Sequence, residues 1–271
     1  MIPKPYIAQW KDHAPWNTNE QVEQDLIISR TLVALFSDDF LRENLAFRGG
    51  TALHKLYLKP VGDIPPPRYS EDIDLVQIKE GPIKPILKQI GEVINFFEEE
   101  RVVKVKANNN TLLYRFYSEY APDIRLRLKI EINCREHFNV LEWQSFPFKV
   151  SNDWFSGKAE ITTYHINELL GTKLRALYQR SKGRDLFDLF YADQHIAFDR
   201  DQLIHCYQEY MAFVVGKSPT AKQFLLNLEE KQANPDFTGD LEGLLRPGIT
   251  YDADKAFDWV KSLVEDGLNL R

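Results

Sequence analysis

The clearest periodicity in the chain runs from Ile124 to Asn133. There Ile124, Leu126, Leu128, Ile130 and Ile132 alternate strictly with Arg125, Arg127, Lys129, Glu131 and Asn133. A period of two predicts a strand with one face in a core and the other displaying three cations, one carboxylate and an amide. The same alternation recurs from Ser70 to Val76, placing Asp72 and Asp74 on one face while Ile73 and Leu75 point inward. VVKVKA and LLYRFYSEY, separated by Asn108-Asn109-Asn110, predict a hairpin.

Helical spacing marks other segments. Thr18 with Gln21 three residues on reads as a capping box, and Val22, Leu26, Ser29, Val33 and Phe36 form the stripe of the helix that follows. A short helix is expected at Asp39–Asn44, then a strand at Leu45–Arg48 that breaks at Gly49-Gly50. Thr51 is expected to cap the run ALHKLYL. Lys84–Glu100 reads as amphipathic, with Ile86, Leu87, Ile90, Ile94 and Phe97 inward. From about Ser151 the chain turns helical, with helices at His165–Arg180, after Arg184, and at Asp201–Val214, Ser218–Lys231 and Asp252–Leu268. The first 17 residues read as irregular, and Asn234–Thr250 as a loop. The class predicted is α+β: a mixed-sheet domain over residues 1–150, then a helical domain over 151–271.

Composition narrows this only slightly. A chain of 271 residues with 44% hydrophobic content can build one large core or two modest ones. No apolar run approaches membrane-spanning length and the N-terminus has no apolar signal segment, so a cytoplasmic protein is expected. Cys134 and Cys206 stand far apart without a metal-ligand spacing, which predicts buried free thiols. The formal charge of −6 argues against a generally basic surface. Its distribution is uneven: Arg101–Arg135 holds eight basic residues against three acidic ones, and Lys173–Arg184 holds five and none. These are either solvated faces or patches that guide a polyanion.

Two stretches carry candidate chemistry. Gly49 and Gly50 precede a helix, an arrangement that is either a tight turn or an anion site, where backbone N–H groups and the helix dipole favour a phosphate. Asp72 and Asp74 are either a solvated strand face or a pair brought together by a cation, and oxygen-only ligands favour Mg²⁺ or Mn²⁺. Glu131 either belongs to an exposed sheet face or is a third metal-binding carboxylate. In the helical half, Lys173 falls within the apolar stripe Ile166, Leu169, Leu170, Leu174 and Leu177, so it either snorkels to water or meets an anion in a cleft between the domains. Asp185 and Asp188, three apart at a helix start, either answer the helix dipole or share a functional face.

Gly49, Gly50, Thr51 and Leu53, followed by Arg68, Ser70, Asp72, Ile73, Asp74 and Leu75, resemble the G-G-T-x-L and R-x-S-x-D-I-D-L pattern of the AbiEii/AbiGii-type toxins in the DNA polymerase β-like nucleotidyltransferase superfamily. Lys129 with Glu131, the helical Lys173, and Arg184-Asp185 with Asp188-Leu189 resemble the family's remaining motifs. Glu131 stands where Asp is commoner. The resemblance implies a polymerase β-like domain of mixed sheet and helices, then a helical domain completing the active-site cleft.

The resemblance also implies transfer of a nucleoside monophosphate from an NTP to an acceptor hydroxyl. Mg²⁺ (or Mn²⁺) would be held by Asp72 and Asp74, with a second ion shared with Glu131. Gly49, Gly50, Thr51, Arg68, Ser70 and Lys173 would bind the nucleotide, and Asp185 would be required for catalysis. Lys129, Glu131, Arg184 and Asp188 would support the site. The family's characterised members modify the 3′ end of tRNA within toxin–antitoxin and abortive-infection (antiviral) systems, with a separately encoded winged-helix antitoxin. Two further readings stay open: a nucleotide-binding regulatory protein without turnover, and a transferase with a protein or small-molecule acceptor.

Overall fold

The computed structural model describes residues 2–58, 65–97, 101–106 and 108–269. By its internal contacts the chain forms two compact units, Met1–Asn139 with Trp143–Tyr164, and Val140–Glu142 with His165–Arg271.

The first unit is built on a mixed seven-stranded sheet, ordered β3-β4-β5-β2-β1-β7-β6. Its strands are β1 (Leu45–Arg48), β2 (Asp72–Gln77), β3 (Arg101–Lys104), β4 (Asn109–Tyr117), β5 (Arg125–Asn133), β6 (Gln144–Ser151) and β7 (Ser156–Thr163). The alternation read from the sequence is met on β5 from Leu128 onward, where Leu128, Ile130 and Ile132 are fully buried and Arg125 and Arg127 are exposed; Leu126 is only half-buried, and Ile124, expected in the core, precedes the strand and is exposed. β4 alternates likewise, burying Leu112, Tyr114 and Phe116. The expected hairpin is β3–β4, paired antiparallel, with β4 starting inside the asparagine run.

Helix α1 (Lys4–Trp10) corrects the expectation of an irregular N-terminal segment; Ile7 and Trp10 are buried and Trp10 Nε1 donates to Asp25 at 2.9 Å, so the helix is anchored from its apolar side. Helix α2 (Asn19–Ser37) starts with the Thr18–Gln21 capping box, both reciprocal bonds being present. It is buried along most of its length, and Lys55 inserts against it to pair with Asp25 at 2.9 Å. Helix α3 spans Asp39–Asn44. Helix α5 (Ile83–Val93) stops short of the expected end at Glu100; Ile94–Phe97 is not helical, and residues 98–100 lie outside the described residues.

A larger correction concerns residues 144–163. The chain does not turn helical at Ser151, because β7 lies beyond that point. β6 pairs Phe146 with Ile161, Phe148 with Ala159 and Val150 with Gly157, continuing the first unit's sheet. Pro147 is tolerated because β6 is the sheet's edge, where a missing N–H costs no ladder bond on the open side.

The second unit is helical: α6 (Ile166–Gln179), α7 (Gly183–His195), α8 (Arg200–Val215), α9 (Ala221–Gln232), a short α10 (Pro235–Thr238) and α11 (Ala253–Asn269). A helical turn and a 3₁₀ turn at Gly239–Leu241 thus occupy part of the stretch expected to be loop. Gly171 lets α6 approach α8 closely, since a β-carbon there would meet Cys206 Cβ at 2.8 Å and the Leu203 carbonyl oxygen at 2.9 Å. Buried Glu168 accepts the backbone N–H groups of Val140 and Leu141 and the Tyr210 hydroxyl, which ties residues 140–142 to this unit. Cys206 is a buried free thiol, and burial pushes its pKa up to about 12; Cys134, also free, is only half-buried.

Candidate active site

In the first unit the residues singled out from the sequence gather where β1, β2 and β5 adjoin. β2 pairs parallel with β5, with Asp72 opposite Lys129 and Asp74 opposite Glu131, and antiparallel with β1, with Asp74 opposite Arg48. Directly paired residues share a sheet face. Asp72, Asp74, Lys129, Glu131 and Arg48 therefore stand on one face, backed by buried Ile73, Leu75, Ile130 and Phe47 on the other. Lys129 Nζ lies 3.2 Å from Asp72 Oδ2 and 3.0 Å from Glu131 Oε2. Burial draws the Lys129 pKa down, but the hydrogen bond to Glu131 and the charges of Asp72 and Glu131 outweigh it and leave the ammonium above its ordinary value.

The Gly-Gly turn sits against this face. Gly49 has φ +80, and a β-carbon on it would lie 2.2 Å from Asp74 Oδ2. The helical turn α4 begins at Gly49, spans Gly49–Ala52 and widens into a π-helical turn over Leu53–Leu58. Thr51 is therefore inside the helix rather than capping it. Its hydroxyl donates to the Asp72 carbonyl at 2.6 Å and so accepts from Ser70 Oγ at 2.8 Å. That pair of bonds stitches the glycine turn to the start of β2. Arg68 is buried and donates to the Tyr69 carbonyl, which holds the chain leading into β2. Arg48, which sequence reasoning passed over, pairs with buried Glu136 at 2.7 Å.

Two features of this face fit a divalent cation. The donors are carboxylate oxygens, and Asp72 Oδ1 is shielded from solvent without a hydrogen-bond partner, so it keeps acceptor capacity to spare. Among the described residues no group of three or more His, Cys, Asp or Glu is assembled to hold a metal by itself, and Glu131 is engaged by Lys129. The fit is to two carboxylates completed by substrate phosphates, as Mg²⁺ sites commonly are.

The same face continues into a basic strip. β4 pairs antiparallel with β5, with Arg115 opposite Arg127 and Tyr117 opposite Arg125. Arg115, Arg125 and Arg127 thus lie on the face that carries Asp72 and Asp74. Arg127 reaches Glu71 at 3.4 Å and remains largely exposed.

In the second unit Lys173, Asp185 and Asp188 come together, and Arg184 does not join them. Lys173 Nζ lies 3.1 Å from Asp185 Oδ1 and 2.6 Å from Asp188 Oδ2, with both carboxylates fully buried. Arg180, not anticipated, forks onto Asp185 through Nε at 2.7 Å and Nη2 at 2.9 Å. Burial alone would raise the Asp185 pKa; the Lys173 and Arg180 cations outweigh it and hold the carboxyl below its ordinary value. Arg184 instead turns to Asp240, its backbone N–H donating at 3.2 Å and its Nε lying 3.5 Å away. The members of the basic run Lys173–Arg184 are engaged within the second unit: Lys182 also pairs with Asp240, and Arg175 is buried over the Tyr210 ring.

A family model described as nucleotidyl transferase AbiEii toxin, type IV toxin–antitoxin system, matches residues 30–262. The chain belongs to the AbiEii toxin family. It is a nucleotidyltransferase of a toxin–antitoxin system.

Solved structures share its fold. MenT4, a nucleotidyltransferase toxin from Mycobacterium tuberculosis H37Rv, is 18% identical, with 98% of this chain and 90% of that one covered and a TM-score of 0.69. JHP933 from Helicobacter pylori is 16% identical over 93% of each chain, with a TM-score of 0.58. A further nucleotidyltransferase-like structure from H. pylori is 17% identical over 93% of this chain and 96% of that one, also at 0.58. No curated protein was found that matches the chain. No helix among the described residues is long and apolar enough to cross a membrane.

Proposed function

We propose that this AbiEii-family enzyme transfers a nucleoside monophosphate from an NTP to the 3′-terminal hydroxyl of an RNA, a tRNA, and so blocks translation in the cytoplasm until a separately encoded winged-helix antitoxin restrains it. The observation that carries the RNA acceptor is the shared sheet face of Asp72 and Asp74 with Arg115, Arg125 and Arg127. A strip of guanidinium groups beside the acidic pair suits a polyanionic acceptor, whereas a small-molecule acceptor needs no such strip.

In this reading the acceptor oxygen attacks the α-phosphorus of the NTP, the bond to the bridging oxygen breaks, pyrophosphate leaves and the hydroxyl proton passes to solvent. Asp72 and Asp74 would hold Mg²⁺, which when bound would supply Lewis-acid stabilisation of charge on the phosphoryl oxygens. Glu131 is the third carboxylate within reach of the site, and Lys129 sets its position. The turn at Gly49 and Gly50 offers backbone N–H groups to the triphosphate, with Thr51 and Ser70 holding that turn in place. Arg68 braces the chain entering β2, and within the helical unit Asp185 and Asp188 hold the Lys173 ammonium. Arg184 serves the same helix through its contact with Asp240.

Purified protein incubated with Mg²⁺, each labelled NTP in turn and total tRNA, beside an Asp72→Ala control, tests this. Label entering tRNA only with the intact chain supports it. Label entering an added protein or small molecule instead replaces the acceptor, and label bound without transfer points to a nucleotide-binding regulator.

A further inference from the structure

Asp72 is divided between two kinds of surroundings. Its Oδ2 accepts from the Lys129 ammonium at 3.2 Å, while its Oδ1 is shielded from solvent and has no hydrogen-bond partner. A carboxylate that bridges a pair of metal ions is divided in the same way, one oxygen to each ion, the ions standing about 3.5–4 Å apart. Here one of the two positive charges is already in place and belongs to the chain. The same ammonium lies 3.0 Å from Glu131 Oε2, so it joins the two carboxylates that a second ion would have to share.

The strand register keeps the ammonium there. Lys129 stands on β5 directly opposite Asp72 of β2, and its partner on the other side is Leu113 of β4, which offers no competing charge. Glu131 follows on the same face, between Asp74 and Thr111. Within this cluster the charges are those of a site for one divalent ion. Asp72, Asp74 and Glu131 are three carboxylates against the single cation Lys129, while Arg48 and Glu136, paired at 2.7 Å, cancel one another. Two negative charges are left, the complement of one Mg²⁺. An ion bonded to Asp72 Oδ2 and Glu131 Oε2, at the roughly 2.1 Å that Mg²⁺ demands, would be set against the ammonium those oxygens hold, and like charges so close repel.

We propose that the Lys129 ammonium takes the place of a second metal ion, so that this transferase holds one divalent ion, on Asp72 and Asp74, and Glu131 anchors the ammonium instead of ligating a metal. This rests on the reading above in which Asp72 and Asp74 hold Mg²⁺. Every residue concerned belongs to the sheet unit. An ammonium can stabilise negative charge, but it cannot ligate and acidify an acceptor hydroxyl as a metal ion does.

The test counts ions. Wild type, Lys129→Met and Asp72→Asn, each saturated with a non-hydrolysable NTP analogue, are titrated with Mn²⁺. Electron spin resonance gives the Mn²⁺ bound per chain and separates an isolated ion from a coupled pair, and thermal midpoints are taken with and without Mn²⁺. Wild type is expected to bind one isolated Mn²⁺. Lys129→Met should bind a coupled pair and gain more in thermal midpoint from Mn²⁺ than wild type does, because only the variant leaves Asp72 and Glu131 without a cation between them. Should Lys129→Met show no cooperative thermal transition, Lys129→Gln, which keeps an amide donor for both carboxylates, replaces it. A coupled pair in wild type overturns the inference alone, and that count needs no variant. So does a folded Lys129 variant that binds a single ion, which is the mark of a lysine that merely ties two strands together. A wild type that binds no Mn²⁺, or Mn²⁺ binding unaltered in Asp72→Asn, overturns the inference together with the reading beneath it.

Discussion

Gly49 and Asp74 are in contact across the join of the glycine turn and β2, so closely that a β-carbon on Gly49 would stand 2.2 Å from Asp74 Oδ2. The glycine is thus required twice, by its φ of +80 and by the carboxylate beside it. Gly49→Ala is expected to displace Asp74 as well as strain the turn. Stability should fall by about 1–3 kcal/mol, the cost of a non-glycine residue forced into such a backbone region, and transfer should fall much further than stability. Urea unfolding and label transfer measured on the same preparation check this; activity lost only in proportion to folded protein would remove the contact from the chemistry.

Asp72 has one oxygen on Lys129 and the other buried without a hydrogen-bond partner. Asp72→Asn keeps the shape and removes the charge. Transfer is expected to drop on the order of 10²-fold or more, as when a group acting on transition-state charge is lost. The thermal midpoint should move little, because Lys129 retains Glu131 at 3.0 Å. Binding of Mn²⁺ in the presence of a non-hydrolysable NTP, followed by its electron spin resonance signal, should weaken in parallel. Unchanged Mn²⁺ binding would take Asp72 out of the metal site.

How much of this was readable in advance follows the kind of signal each residue leaves. β5 and β2 were legible because strict alternation and half-burial are one fact seen from two sides. β6 and β7 carry the same alternation in Phe146, Phe148 and Val150 and in Ala159, Ile161 and Thr163, but Pro147 and Gly157 read as breakers when the edge position of β6 is unknown. In the site, the acidic pair and the glycine turn are local motifs and could be named from residue type. The partners that set their charge are not local: Lys129 meets Asp72 from 57 positions away, and Arg48 meets Glu136 from 88. Arg180 was closer, five residues from Asp185, but it lay in a basic run whose members looked alike until the fold turned each to a different acceptor.

Arg115, Arg125 and Arg127 lie on one sheet face with the acidic pair, which gives the RNA acceptor a measurable salt signature. For a single-stranded acceptor end the logarithm of affinity falls with the logarithm of salt by about 0.7 per phosphate neutralised, so replacing all three by Gln should reduce the slope by roughly 2. Fluorescence anisotropy of labelled tRNA against salt reads this directly. Affinity for NTP alone should stay near wild type. A triple variant with an unaltered slope would place the RNA on some other surface.

Asp185 gives the second unit a pH dependence whose sign can be worked out. In the unfolded chain its pKa is about 3.9; in the folded chain Lys173 and Arg180 hold it lower despite burial. Over that interval the unfolded state binds more protons than the folded one, so the group's contribution to stability is fully present above about pH 4 and is lost as pH falls through the depressed folded value. Asp185→Asn should remove this dependence. Near neutral pH it should cost about 3–5 kcal/mol, the usual cost of taking one partner from a buried pair, toward the lower end because Lys173 keeps Asp188 at 2.6 Å. Urea unfolding of both proteins from neutral to acid pH is the measurement. The gap between them should be wide at pH 7 and should close as the wild-type carboxylate takes up its proton in acid; a gap constant with pH would mean that Asp185 is not held ionised by its two cations.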